Sequence, residues 1–157
     1  MAAWIPRVQL AMRAGLAAGL AAGGAQLLAL PFPIYAMIAA VIVTDLAPAQ
    51  TRSLAAQRVA GTVLGASLGA ALAGLSSGAA MIALGVCVAM LACHALRMGE
   101  AARLAGYVCG IVLLDHVGQA WMYAAHRLLE TLLGLAIAVL VSLVPKLLRV
   151  EERPPPG

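Results

Sequence analysis

The segment QRVAGTVLG at residues 57–65 returns in altered form as HRLLETLLG at residues 126–134. Arginine, threonine and glycine occupy matching positions, 69 residues apart in each case (58 and 127, 62 and 131, 65 and 134). A second correspondence joins the apolar segment that ends at Asp45 to the one that ends at Asp115. These matches predict two related halves, about residues 8–77 and 78–147. The alternative is a chance likeness between two segments rich in alanine, glycine and leucine.

The composition decides the class of protein. Of the 157 residues, 64% are apolar and only 10% are charged, and the mean hydropathy is +1.00. A soluble domain carries about a quarter charged residues, and a disordered chain combines low hydrophobicity with high charge. An ordinary soluble enzyme and a disordered chain are therefore excluded, which leaves a polytopic membrane protein.

Six apolar runs predict six membrane-spanning helices. The runs show no alternation with period two, and a helix satisfies every backbone amide within its own segment, as lipid requires. The sequence therefore predicts an all-α membrane protein, with a six-helix transmembrane domain over residues 1–147 and a polar cytoplasmic tail at 148–157. The runs cover residues 14–30, 34–46, 59–75, 79–96, 104–114 and 128–144.

The basic residues predict the orientation of these spans. With six spans, nine of the ten lysines and arginines fall on one side of the membrane, and Arg127 alone falls on the other. The positive-inside rule then places both termini in the cytoplasm of a multi-pass protein in a bacterial-type inner (plasma) membrane. Three spans per half is an odd number, so the halves are expected to form two inverted three-helix repeats. Arg127 then becomes the mirrored counterpart of Arg58.

Glycine spacing predicts close contacts between helices. Glycines recur every fourth residue at 15, 19 and 23 and again at 61, 65 and 69, which clears one helix face so that another backbone can approach. Packing within the chain is the favoured interpretation, and contact with a second copy is the alternative. The second and fifth runs are the shortest, and short segments at matching positions in two halves are expected near a substrate path.

Several motifs resemble the FUSC family, the fusaric acid resistance and aromatic acid exporter group, which is similar to plant aluminium-activated malate transporters. They are PxYA at residues 33–36, RxxGTxxG at 58–65 and YAxxRxxExxxG at 123–134. The resemblance covers roughly residues 10 to 146. It implies a six-helix membrane domain that exports or conducts organic anions, often aromatic carboxylates, with two such domains around one path. A homodimer is therefore expected for this chain.

Two arginines are the first candidates for substrate binding, because ionisable groups within membrane spans are costly and a guanidinium matches a carboxylate bidentately. Arg58 begins the third predicted span and Arg127 the sixth. For Arg58 the alternative is a side chain that extends to the membrane interface. For Arg127 the alternatives are the same extension or a pair with Glu130, one helical turn later.

Five further residues complete the predicted substrate site. Asp45 and Asp115 are candidates for proton relay, with capping of the next segment as the alternative, and Glu130 would tune charge or protonation. Tyr35 and Tyr107 are candidates for contact with an aromatic substrate, with anchoring at the membrane interface as the alternative for Tyr35. The aromatic residues Phe32, Trp121 and Tyr123 are expected at the outer interface, and His116 and His126 could admit protons there or belong to a solvated loop.

Catalytic function finds no support in the sequence. Nucleophile-elbow, zinc-protease and phosphate-loop motifs are absent, and the three cysteines form no Cys-x-x-Cys pair. No cofactor, no metal and no nucleic acid are expected. The predicted partners are the lipid bilayer, a second copy of the chain and an organic anion. The predicted function is export of organic carboxylate anions by a transporter or channel-like protein. The alternative is a structural or regulatory membrane subunit that needs a partner protein.

Overall fold

The computed structural model describes residues 4–75, 78–115 and 117–144, apart from the side chains of residues 5, 115 and 117. Within these ranges the chain is helical and contains no strand, which confirms the all-α prediction. A short 3-10 helix at Val117–Gln119 precedes the last α-helix. The α-helices are α1 (Trp4–Leu27), α2 (Pro33–Val43), α3 (Pro48–Ala73), α4 (Ala79–Ala95), α5 (Gly99–Asp115) and α6 (Ala120–Ser142).

Local sequence explains where the helices begin and end. α2 and α3 each begin with a proline in the first turn, where its missing N–H costs nothing. α1 and α4 end in the same way, with the Leu30 N–H donating to the Ala25 carbonyl (2.9 Å) and the Met98 N–H to the Cys93 carbonyl (2.8 Å). Each bond closes over one residue in the left-handed region, the usual end of a helix. These residues are Ala29 (φ 51°) and Arg97 (φ 59°).

Four helices begin well before the apolar runs predict. α1, α3, α5 and α6 start at residues 4, 48, 99 and 120, whereas their runs start at 14, 59, 104 and 128. Each of these runs begins directly after an arginine, because a charged residue bounds an apolar run although it does not bound a helix. α2 has 11 residues, fewer than its predicted run of 13, whereas α5 has 17, the same as α4, although its apolar run is short.

One described helix, Ala120–Ser142, is long and apolar enough to cross a membrane when length and composition are judged alone. Pro33–Val43 and Ala79–Ala95 are apolar but shorter. Polar and charged side chains near the starts of α1, α3 and α5 lower the mean hydropathy of these helices. They are Arg7 and Gln9 in α1, Gln50 and Arg52 in α3, and Glu100 and Arg103 in α5. Length and composition therefore identify α6 as a candidate span and leave the other five helices unassigned.

The distribution of side chains between surface and interior favours lipid as the surrounding medium. Alanine and glycine fill much of the interior together with buried charges, among them Arg58, Arg127 and Glu130. Large apolar side chains face outward on every helix, whereas a soluble protein buries them and exposes its charges. Examples, one from each helix, are Leu20, Ile42, Val63, Leu91, Leu114 and Leu129.

The helices pack as two groups around the contact between α3 and α6. α3 also packs against α4 and α5, and α6 also packs against α1 and α2. One cluster of buried side chains is centred on α3, α4 and α5, and the other on α1, α2 and α6. The bundle therefore places α3 and α6, and the residues they carry, at its centre.

Glycines make the closest helix contacts. A Cβ atom at Gly65 would collide with the backbone of Ala105, and one at Gly134 with the backbone of Ala36. Gly69 continues the first contact, since its Cβ would lie 2.8 Å from Val112 Cβ. The glycines of α3 therefore serve packing within the chain, as predicted. The glycines of α1 do not, because a Cβ at position 15, 19 or 23 would meet nothing within 4 Å.

The glycine contacts lead to a stability prediction. Gly134→Ala should lower the free energy of unfolding by about 1–3 kcal/mol, because the new methyl group forces α6 away from α2. Gly74→Ala is the matched control, and it should be close to neutral because a Cβ there would meet nothing within 4 Å and the φ of −78° suits alanine. Thermal denaturation in detergent measures both variants. Equal melting temperatures would contradict the predicted packing.

Candidate functional site

Two buried arginines lie at the centre of the bundle. Arg58 is 6% exposed and Arg127 is 3% exposed, and each lies well inside its helix, in α3 and α6 respectively. The two guanidinium groups are close enough to interact electrostatically. Neither arginine begins its helix, because α3 and α6 extend beyond them in the N-terminal direction. Both arginines face one shared region in the interior.

Arg127 is held against an aromatic ring. Its Cζ atom lies 3.3 Å from the centroid of the Tyr35 ring, a short cation–π contact. Its Nε and Nη1 atoms are buried and have no hydrogen-bond partner among the described residues. Glu130 attracts this guanidinium electrostatically, yet its Oε2 atom likewise has no hydrogen-bond partner in the described part of the chain. The predicted pairing of Arg127 with Glu130 is therefore an attraction without a fully hydrogen-bonded ion pair.

Glu130 joins α6 to the start of α2. Its side chain is fully buried, and its Oε1 atom accepts a hydrogen bond of 2.7 Å from the Phe32 N–H. Phe32 stands between Pro31 and Pro33, neither of which has an N–H, so this bond uses the one backbone donor of the Pro-Phe-Pro segment. The carboxyl group also lies at the positive end of the α2 dipole. Glu130 therefore positions α2 on α6.

Three aromatic side chains surround this junction. The Phe32 and Tyr123 ring centroids are 5.4 Å apart, and those of Tyr35 and Tyr123 are 6.3 Å apart, both with edge-to-face geometry. The Tyr123 hydroxyl donates to the Tyr35 hydroxyl at 3.0 Å. Tyr123 is 3% exposed and therefore faces the interior of the bundle, whereas Trp121 is exposed at its surface.

Tyr107 of α5 lies beside the Arg58 guanidinium, close enough to interact with it electrostatically. The tyrosine side chain itself is partly exposed. Arg58 Nε is buried and has no hydrogen-bond partner within the described ranges. The name arginine cluster is used below for Arg58, Arg127, Glu130, Tyr35 and Tyr107.

Asp45 makes its hydrogen bonds within the loop between α2 and α3. Its Oδ1 atom accepts the Ala47 N–H (3.0 Å) and its own N–H donates to Thr51 Oγ1 (3.1 Å). These bonds order the loop, but the N-cap of α3 at Ala47 has no side-chain cap hydrogen bond, so the capping alternative stays a prediction. Asp115 ends α5, and its side chain and the whole of His116 lie outside the described residues.

Cavities open beside the first turns of α2 and α5. One, of about 190 Å³, is lined by Phe32, Tyr123 and His126 at the start of α2. The other, of about 420 Å³, is lined by Gln57, Ala60 and neighbouring residues at the start of α5. Each cavity therefore lies at the start of a helix that contributes a tyrosine to the arginine cluster, Tyr35 from α2 and Tyr107 from α5.

The arrangement suits binding rather than covalent chemistry. Guanidinium N–H groups without partners are donors for an anion, and aromatic rings supply apolar contact beside them. In the described part of the chain no three His, Cys, Asp or Glu side chains are placed to hold a metal ion. The sequence analysis missed the roles of Phe32 and Tyr123. For Tyr123 a signal exists, because residues 123, 127, 130 and 134 share one face at helical spacing.

Comparison with known proteins gives one result. A family model described as fusaric acid resistance protein-like matches residues 17–141. No curated protein and no solved structure matches the chain, and the likeness to aluminium-activated malate transporters stays a prediction. Membership of this family indicates membrane transport or efflux rather than catalysis. Because the match covers most of the sequence, the chain belongs to the fusaric acid resistance protein-like family.

Proposed function

We propose that this protein is an integral membrane transporter or channel-like protein that exports organic carboxylate anions, aromatic ones among them. The observation that carries the proposal is the pair of buried arginines, Arg58 and Arg127, with guanidinium nitrogens that have no hydrogen-bond partner among the described residues. Family membership supports transport or efflux in general.

The chemistry of the arginine cluster explains the choice of an anion. Removing a guanidinium from water is costly unless its N–H groups find acceptors. A carboxylate that reaches Arg127 would supply acceptors to Nε and Nη1, while the contact with Tyr35 keeps the guanidinium in place. The rings of Phe32 and Tyr123 line the adjacent cavity and offer an apolar surface to the rest of the anion.

The transport path would run between two inverted three-helix repeats. Helix contacts support this arrangement, since exchanging α1, α2 and α3 for α4, α5 and α6 leaves the same set of contacting helix pairs. The glycine contacts correspond as well, with Gly65 on Ala105 matching Gly134 on Ala36. A third correspondence is the residue in the left-handed region that follows each first helix, Ala29 after α1 and Arg97 after α4. Inverted repeats commonly place a substrate site at their interface, which here is the α3–α6 contact.

Six spans with both termini in the cytoplasm would follow from this arrangement. Arg13 supports it, because this buried side chain of α1 donates to the Leu46 carbonyl after α2 (3.1 Å) and to the Val144 carbonyl after α6 (2.7 Å). The first part of α1 and the ends of α2 and α6 therefore meet at one end of the bundle. In an inner membrane, the positive-inside rule would make that end cytoplasmic. Asp45 and Asp115 enter the proposal as charges at the ends of α2 and α5.

A homodimer would complete the proposed transporter. Gly15, Gly19 and Gly23 form an open face on α1, and a groove of about 430 Å³ runs along this face beside Ile137 and Leu140 of α6. In lipid, faces of small residues allow two helices to approach closely. A second copy of α1 is the occupant that the spacing of the three glycines suits.

The proposed function leads to three predictions, and the first concerns anion flux. Arg127→Ala should reduce the flux of benzoate from proteoliposomes by about tenfold or more, because it removes the charge-assisted hydrogen bonds to the carboxylate. Arg103→Ala is the matched control, since this arginine of α5 is exposed and lies outside the arginine cluster. Equal flux in the wild type and in folded Arg127→Ala would contradict the assignment. Absence of flux in the wild type, with a stoichiometric protein partner in the purified sample, would favour the regulatory-subunit alternative.

The second prediction concerns topology. Epitope tags at the amino and carboxyl ends should both stay inaccessible to antibody in intact spheroplasts and become accessible after permeabilisation. Accessibility of one tag alone before permeabilisation would rule out an even number of spans. Accessibility of both would reverse the proposed orientation.

The third prediction concerns assembly. Gly19→Ile should lower the dimer fraction measured by light scattering in detergent, because the larger side chain fills the open face of α1. Ala83→Ile is the control, a small-to-large change at an exposed position of α4. A dimer fraction that changes equally in both variants, or a wild type that is monomeric, would contradict the proposed interface.

A further inference from the structure

The arginine cluster carries an unbalanced charge. Its ionisable members at neutral pH are the Arg58 and Arg127 guanidinium groups and the Glu130 carboxyl group. With the carboxyl group ionised, one net positive charge is left in the interior. Arg13, the one further buried charge among the described residues, donates to backbone carbonyls after α2 and α6, and Asp45 is bonded within the α2–α3 loop.

The protein has no room for a second carboxylate at the corresponding place. Three residues after Arg127 stands Glu130, and three residues after Arg58 stands Gly61. A Cβ atom at Gly61 would lie 2.8 Å from Leu104 and 2.9 Å from the Ala101 carbonyl oxygen. Even an alanine would force α3 and α5 apart, and a glutamate would do so further. One arginine therefore has a protein carboxylate beside it, and the other does not.

We propose that Glu130 sets the charge of the transported anion, so that the arginine cluster selects monocarboxylates over dicarboxylates. This inference rests on the proposed function, since it specifies the class of anion that the same site accepts. One substrate carboxylate neutralises the cluster, whereas a dianion leaves one negative charge uncompensated inside the bundle. Buried net charge of either sign is unfavourable, because the interior solvates it poorly.

Two neighbours of Glu130 hold its carboxyl group in place and favour the ionised form against the cost of burial. Its Oε1 atom is held by the Phe32 N–H at 2.7 Å, and the nearby Arg127 guanidinium attracts the ionised form. Oε2 has no hydrogen-bond partner in the described ranges, so the side chain is anchored at one oxygen only. A glutamine at this position keeps an oxygen that accepts the Phe32 N–H and removes the negative charge. Glu130→Gln is therefore the substitution that separates charge from shape.

The test compares benzoate with phthalate, which share an aromatic ring and differ by one carboxylate. Binding to the purified full-length protein is measured by calorimetry in detergent at pH 7.5, and flux is measured in proteoliposomes. The wild type should bind benzoate at least about tenfold more tightly than phthalate. Glu130→Gln should shift the ratio of the two dissociation constants toward phthalate by about tenfold or more. Glu100→Gln is the control, because it removes an exposed carboxylate of α5 and should leave the ratio unchanged.

A double variant that restores the net charge tests the charge argument independently. Arg58→Gln combined with Glu130→Gln returns the cluster to one net positive charge, so the preference for benzoate should return even if both affinities fall. Wild-type protein that binds phthalate as well as benzoate overturns the inference without any variant. So does an unchanged ratio in Glu130→Gln, which is also the result expected if Glu130 is already uncharged. Absence of binding and flux for both anions in the wild type overturns the proposed function itself.

Discussion

The hydrogen bond between the Glu130 carboxyl group and the Phe32 N–H determines the geometry of the interior. It attaches the first turn of α2 to the middle of α6, and that attachment brings the Tyr35 ring beneath the Arg127 guanidinium. The same placement of α2 allows the Tyr35 and Tyr123 hydroxyls to meet. The bond also gives a side-chain acceptor to the one backbone donor of the Pro-Phe-Pro segment, whose prolines have no N–H.

The bundle distributes its side chains in the reverse of the soluble pattern. Many leucines and both tryptophans face outward, while Arg13, Arg58, Arg127, Glu130 and several threonines lie within, among alanine and glycine backbones in close contact. Small residues serve two purposes in such a fold. They allow α3 to meet α5 and α6 to meet α2 without intervening side chains, and the space they leave open is available to a few long polar residues. A core of large apolar side chains would leave no room for two guanidinium groups.

Much of this arrangement could be predicted from the sequence, because its signals are local. Apolar runs identify six helices, glycine spacing identifies the contact faces of α3, and the prolines mark the starts of α2 and α3. The helix boundaries could not be placed in the same way. Arg58 and Arg127 directly precede apolar runs, yet they lie inside the helices that contain those runs. The contact of Glu130 with Phe32 joins positions 98 residues apart through a backbone N–H, for which no side-chain pattern exists. The open face of α1 and the filled face of α3 have the same glycine spacing, and only their neighbours distinguish them.

The short length of α2 has an electrical consequence. Eleven residues of helix rise by about 16 Å, roughly half of the 30 Å hydrocarbon thickness of a bilayer. If water enters the cavities beside the starts of α2 and α5, the insulating layer between them is a thin septum, and most of the transmembrane voltage falls across it. An ion that crosses this septum moves through nearly the whole field, which is worth about 2.3 kcal/mol per charge at 100 mV. Membrane potential, as well as concentration, would then drive the movement of an anion past the two arginines.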